Sequence, residues 1–421
     1  MRKQIEQCAN RNRVRADMRK CGNMCLYRRA LTGVLAVLLA VEISACGGKA
    51  KPGQETGVSQ KAEITQEKAS APVWKDMRPE RSMELSYAKQ FSVDYYDGGY
   101  DLIQVQDDST CLVVPEGAAV PEGLPASITV LQKPLDHVYL AATSAMDLIA
   151  ALGRVDRITL SGTKESGWYV DAARQAMEDG TLSYAGKYSA PDYEQILSSG
   201  CDLALESTMI YHVPDVKAQL EQLKIPVFVE RSSYEEHPLG RMEWIRLYGV
   251  LFDAEETAEQ LFQEQVQQLD TVLTGQSVGK SAAFFYITSN GAVNVRKPGD
   301  YVAKMIELAG GSYVPKTADT DENALSTMNM QMEEFYAKAK DADYIIYNST
   351  IDGELSTIDE LLAKSNLLAD FKAVKDGNVW CTGKNLFQET TELGTMIEDI
   401  HTILTTDDDS LDELSYMHKL K

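Results

Sequence analysis

Met209 and His212 stand three residues apart in STMIYH, and both side chain types can ligate iron. Ligands so close on one loop cannot reach both faces of one flat macrocycle, so an axial pair needs its second member from elsewhere in the chain. The five histidines, His137, His212, His237, His401 and His418, are scattered, and no HExxH pattern occurs. Neither a GxSxG elbow nor a Walker loop occurs either. Beyond Cys46 the cysteines are Cys111, Cys201 and Cys381, an odd number without a CxxC pair, which argues against a disulfide framework and against a thiolate metal site. They read as small buried hydrophobes. What remains is chemistry of binding, with rings, cations and amides, rather than chemistry of a nucleophile.

Such side chains collect in short segments that each follow an apolar run. Trp168 and Tyr169 come after RITL, Met209, Tyr211 and His212 after DLALE, and Arg231 after IPVFVE. In the second half Tyr286 lies in AAFFYIT, Arg296 follows it, Asn348 to Thr350 close DYIIYN, and Lys384 follows VWCT. Short apolar runs bounded by turn formers read as buried strands. Ligands of open α/β sheets sit beyond the carboxyl ends of the strands. The candidate ligand-binding residues are therefore Trp168, Tyr169, Met209, Tyr211, His212, Arg231, Tyr286, Arg296 and Lys384. Each ring also has an ordinary alternative, a core edge with its polar tip in water.

The elements that must position these residues alternate. From ITVL at Ile128 onward, strand-like runs are separated by helical patterns over Thr143 to Leu152, Tyr169 to Glu178 and Asp215 to Leu223. The alternation resumes with helices over Asp300 to Ala309, Gln331 to Ala339, Ile358 to Ala363 and Thr391 to Leu404. This predicts an α/β protein of two Rossmann-like lobes with mostly parallel sheets, residues 81–237 and 276–421. Leu85 to Pro115 alternates around Asp97-Gly98-Gly99, which predicts a β-hairpin extension leading the first lobe. Residues 238–275 read as a connecting helix. Its second half carries Ala258, Leu261, Phe262, Val266, Leu269, Val272 and Leu273 as one apolar stripe. Asp253 and Glu256 have the spacing of a capping box, which predicts a helix from Ala254, a break at Phe252 and an earlier helical piece, Gly240 to Leu251, resting on the first lobe. Arg241 either pairs locally with Glu243 or faces the cleft.

The chain opens differently. Arg28 and Arg29 precede a twelve-residue apolar run, Ala30 to Val41, too short for a membrane span of about 20 residues. Ile43-Ser44-Ala45-Cys46-Gly47 then resembles a bacterial lipobox, so residues 1–45 read as a signal peptide and Cys46 as the lipidated mature terminus. Residues 46–80 hold few large apolar side chains and read as a tether. Without residues 1–45, which hold nine Lys or Arg and three Asp or Glu, 32 basic side chains face 60 acidic ones, a net charge of −28. That balance argues against nucleic acid and anionic lipid surfaces as partners.

Over about Ile128 to Leu404 the chain resembles the metal-chelate binding proteins of ABC importers, which capture ferric siderophores, haem or vitamin B12. The lipobox start, ITVLQKP, LIAALGRVDRI and GDYVAKMIELAGGSYV, in that order, carry the resemblance. It implies a substrate-binding lipoprotein on the extracytoplasmic face of the membrane, partnered by a permease dimer and its ATPase, with no catalysis. The expected ligand is an iron chelate, haem or a corrinoid, and no intrinsic cofactor is implied. Glu194 and Glu334 each stand seven residues before the turn into a buried strand, one per half. The resemblance makes them permease-docking residues; glutamates favoured by a helix amino terminus are the plainer alternative. Two other readings stay open: a receptor for free zinc or manganese, drawing on His137, His212 and His237, and a two-lobed chelatase-like enzyme.

Overall fold

The structure, a computed structural model, describes residues 71–106, 109–272, 277–316, 327–406, 408 and 410–421. The expected signal peptide, Cys46 and the expected tether as far as residue 70 lie outside the described residues, whereas the last residues assigned to the tether are structured, with a 3-10 turn Trp74–Asp76 and the start of a strand at Pro79.

The expected hairpin is the centre of a larger leading sheet. Strands β1 (Pro79–Ser82), β2 (Phe91–Tyr96), β3 (Tyr100–Val105) and β4 (Thr110–Val114) run antiparallel in sequence order, and β5 (Ile128–Gln132) adds parallel to β4. Gly98 and Gly99, both at φ 79°, supply the left-handed backbone that turns β2 into β3. ITVL, expected to open the first lobe, is thus the last strand of this sheet. One face, with Phe91, Val93, Ile103, Cys111, Val113 and Leu131, joins the main core. The opposite face, with Tyr100, Leu102, Leu112 and Val114, is covered by Trp74, Met77 and Leu124. Residues 72–74 reach this face because Trp74 N–H donates to Glu122 O at 2.9 Å and Glu122 N–H to Pro72 O at 2.8 Å.

The first lobe is a wholly parallel sheet formed by β6 (Val138–Leu140), β7 (Ile158–Ser161), β8 (Ser183–Tyr184), β11 (Leu203–Ser207) and β12 (Val227–Glu230), in the order β12-β11-β6-β7-β8. A small ribbon of β9 (Gly186–Lys187) and β10 (Ala190–Pro191) lies between β8 and β11 in the chain. In the second lobe β13 (Ser281–Ile287) is central. Along one edge it pairs with β15 (Ser312–Val314) and then with β14 (Val293–Arg296), and along the other with β17 (Tyr344–Tyr347). Strands β16 (Thr327–Met330) and β19 (Met417–Lys419) close the two edges antiparallel, the latter against β18 (Val379–Thr382). This is a mixed α/β architecture with two sheet-containing lobes, as the alternation predicts.

Between the lobes run two helices, Pro238–Leu251 and Glu255–Val272. Thirteen of the fourteen residues of the first are buried, Arg246 being the exception, so it is enclosed on every side rather than amphipathic. It touches both lobes: its Arg241 Nη2 donates to Phe387 O of the second lobe at 2.8 Å. The expectation that this piece rests on the first lobe is therefore too narrow. The break falls at Phe252 to Ala254, with a cause other than a capping box. Asp253 takes the left-handed conformation at φ 53°, and Ala254 N–H reaches back to Gly249 O at 2.9 Å. That is a Schellman ending with aspartate where glycine is usual. The Asp253 carboxylate meets Lys133 Nζ at 2.7 Å, while Arg154 donates to the Phe252 and Asp253 carbonyls at 2.9 and 3.0 Å. A Cβ on Gly249 would lie 2.8 Å from Ala258 Cβ, so glycine is what lets the two helices cross this closely.

Candidate ligand-binding cleft

The carboxyl ends of the two sheets meet through the loops that follow them. Gln388, after β18, donates from Nε2 to Gly167 O and accepts from Tyr169 N–H, both at 2.8 Å, so the loops after β7 and β18 are clasped together. Thr391 donates from N–H and Oγ1 to Asp147 Oδ2 at 2.7 and 2.8 Å. These direct bonds and the enclosed helix fix the floor between the lobes.

The candidate residues fall into three groups around that floor. Tyr169 lies half-buried on the clasp itself. On the second lobe Arg296 lies 4.7 Å from the Phe387 ring centroid and 3.5 Å from the buried Asp300 carboxylate. Burial raises the Asp300 carboxyl, and the Arg296 guanidinium acts against that rise. Arg241 bonds the Tyr301 hydroxyl and stands 4.8 Å over its ring. It does not pair with Glu243, whose carboxylate accepts from Arg246 and from backbone amides. Tyr286 is half-buried on β13 and Lys384 is exposed beyond β18.

On the first lobe, Met209, Tyr211 and His212 sit on the 3-10 turn Thr208–His212 that follows β11. Ile210 is buried beneath them and anchors the turn, leaving Met209 45% and Tyr211 43% exposed. Arg231, after β12, donates from Nε to Gln90 Oε1 at 3.2 Å and stands 4.6 Å over the Tyr234 ring. Trp168 differs from its expected role: it is 1% exposed and its indole N–H donates to Ser161 Oγ at 3.2 Å, so the ring belongs to the core and has no surface for a ligand.

Sequence reasoning missed Ile351, 67% exposed in the helical turn Ser349–Asp352 beyond β17. It is the counterpart in the second lobe of Met209 and Tyr211 in the first, and a lone isoleucine in a polar turn gives no periodic signal. Gln388 and Gln90 were missed for the same reason. The three histidines that a free metal ion would draw on do not converge. His137 lies 3.5 Å from Asp202, His212 is exposed, and His237 stacks on Tyr87 at 4.8 Å while Nδ1 accepts from Leu239 N–H. Among the described residues there is no group of three or more His, Cys, Asp or Glu able to hold a metal ion. Burial pushes the Cys201 and Cys381 thiols up to about 11, which keeps them unreactive at neutral pH.

Glu206 on β11 is fully buried, and neither carboxylate oxygen has a hydrogen-bond partner among the described residues. Burial pushes its carboxyl up to about 8. Its folded value lies above its unfolded value near 4.3, so the folded state holds a proton that the unfolded chain has lost. Its contribution to stability is present below about pH 4 and is lost as pH rises through about 8. Urea unfolding of wild type is expected to show stability falling from about pH 5 to 8, and Glu206→Gln is expected to flatten that fall. An equal slope in both proteins would contradict the assignment.

Two α/β lobes joined through a helical connector make a bilobal architecture whose strand-end loops are clasped together. A sequence profile of the periplasmic binding protein family matches residues 138–386, more than half of the chain, and the chain belongs to that family. It is a binding protein rather than an enzyme. It is similar to an uncharacterized lipoprotein of Methanocaldococcus jannaschii, 25% identical over 409 residues that cover 88% of this chain and 91% of the relative. Among solved structures it is similar to a periplasmic heme binding protein from Pseudomonas aeruginosa, at 15% identity, covering 68% of this chain and 98% of that one, with a TM-score of 0.53. An ABC-type Fe3+-hydroxamate transport system protein from Saccharomonospora viridis matches at 21% identity, 65% and 94% coverage and a TM-score of 0.52. An ABC transporter substrate-binding protein from Listeria monocytogenes matches at 16% identity, 64% and 98% coverage and a TM-score of 0.50. These likenesses establish the fold.

Proposed function

We propose that the chain is the ligand-capturing lipoprotein of an ABC importer, held on the extracytoplasmic face of the membrane through Cys46. Its ligand is an iron chelate, a ferric siderophore or haem, with a corrinoid as second choice. The observation that carries this reading is the pairing of exposed apolar surface with cations at the strand ends. Met209, Tyr211 and Ile351 are large exposed side chains at strand ends of the two lobes, and Arg231 and Lys384 lie in the loops after β12 and β18. A broad ligand with flat apolar faces and a few anionic groups fits such a surface. The heme and Fe3+-hydroxamate proteins among the similar structures, and the lipoprotein relative, support the same reading. Met209 and His212 share one turn and could supply one axial ligand to a haem iron between them. The free zinc or manganese reading finds less support, since His137 and His237 are already engaged elsewhere.

Removing the exposed pair tests the site. Met209→Ala with Tyr211→Ala is expected to weaken haemin binding about tenfold, or ~1.4 kcal/mol, with little change in thermal midpoint because both residues lie at the surface and outside the core. Fluorescence titration reads the affinity; an unchanged dissociation constant would remove this turn from the site.

A further inference from the structure

We infer that Gln90 is a positioning residue of the cleft: through it the leading sheet, which lies before the residues matched by the family profile, holds the guanidinium of Arg231 in place for an anionic ligand. This rests on the reading of Arg231 as a ligand contact given above.

The argument starts from the backbone of Ser86 to Gln90, the loop between β1 and β2. Five successive amides are captured by two buried carboxylates of the connector region. Glu243 accepts from the N–H groups of Ser86, Tyr87 and Ala88 at 2.9, 2.8 and 2.7 Å, and Glu235 from those of Lys89 and Gln90 at 2.8 and 3.0 Å. Gln90 is fixed on its other side too, since its carbonyl accepts from Gln106 N–H at 3.0 Å. A Cβ on Gly240 would lie 3.0 Å from Tyr87 O, so the loop is seated directly on the first connector helix. A backbone held at every amide presents its side chain with little freedom.

Gln90 uses that rigidity on Arg231. Its Oε1 accepts from Arg231 Nε at 3.2 Å, and the Tyr234 ring lies against the guanidinium from 4.6 Å. The contact engages Nε and leaves the outer fork of the guanidinium for another partner. An arginine so held loses less rotamer freedom when it binds a carboxylate, and that saving appears as affinity. The amide is neutral, so it orients the cation without cancelling its charge, as a carboxylate in its place would.

The test uses the whole folded chain with two probes, haemin, which has two carboxylates, and haemin dimethyl ester, which has none. The Arg231 Nε–H exchange rate is read by NMR in the same proteins without probe. Gln90→Leu is expected to speed that exchange at least about tenfold and to weaken haemin about fivefold, leaving the ester and the thermal midpoint unchanged. Arg231→Ala is expected to weaken haemin at least as much, and the double variant no further, because the two residues act as one unit. Gln90→Glu is expected to keep exchange slow yet weaken haemin, since it retains the acceptor and neutralises the cation. Two results overturn the inference and are told apart. Unchanged exchange in Gln90→Leu breaks the link between Gln90 and Arg231. Haemin affinity that Arg231→Ala leaves unchanged, absent binding included, breaks the reading of Arg231 on which the inference rests.

Discussion

Reversing the charge of Glu194 together with Glu333 and Glu334 to lysine is expected to abolish ligand uptake by cells, a loss of at least about a hundredfold, while leaving affinity in solution unchanged. In the proposed importer these glutamates orient the binding protein on its two permease subunits, and like charges brought face to face cost several kcal/mol. Glu194 is exposed on the short helix Tyr193–Ser198 that feeds β11, and among the described residues its carboxylate has no hydrogen-bond or ion-pair partner. Asp192, not Glu194, caps that helix, accepting from Gln195 N–H at 3.0 Å. The second lobe repeats the arrangement on Met332–Ala339 before β17, with one difference. Glu334 is tied to Lys338 at 2.8 Å, whereas Glu333, also exposed, has no such partner among the described residues. Glu333 is therefore expected to contribute as much as Glu334 when each is reversed singly. Radiolabelled or fluorescent ligand uptake against solution affinity separates the two effects; intact uptake by the triple variant would retire the docking role.

Glu243→Leu is expected to cost about 3–5 kcal/mol of folding stability, a large loss for one side chain. Glu243 is fully buried, and its two oxygens accept from three successive amides and from Arg246 Nη1 at 3.1 Å. Leucine fills the volume but leaves the three amides without acceptors, while Arg246 keeps Glu84 O and the Glu259 carboxylate. Glu243→Gln keeps one carbonyl oxygen and is expected to lose only about 1–2 kcal/mol. Urea unfolding with an unchanged slope checks both, and a loss below about 1 kcal/mol for the leucine variant would mean the leading sheet is not held through this residue.

The succession of strands and helices, the two lobes and the helical connector were legible because they rest on periodicity, which survives in sequence. The strand ends were legible for the same reason, and with them the turn holding Met209, Tyr211 and His212. Side-chain direction was not. Nothing in RITLSGTKESGWY tells that Trp168 turns inward to Ser161 rather than outward to a ligand. The first connector helix, buried on all sides, has no single apolar face from which its neighbours could be read, so the sequence left Arg241 between a local pair with Glu243 and the cleft, and its bond to Phe387 O had to come from the structure. The break at Phe252 was found through Asp253, but that residue ends one helix instead of beginning the next. Gln90 and Gln388 act on partners 141 and 219 residues away in the chain, a separation at which a neutral side chain in a loop leaves no pattern.

The most direct measurement is the absorbance spectrum of the purified protein titrated in parallel with haemin, ferric siderophores, cobalamin and free zinc. Saturable binding of one chelate at a single site, with a changed spectrum and no competition from zinc, is the predicted result. Flat titrations for all three chelates, together with tight binding of free zinc, would contradict it.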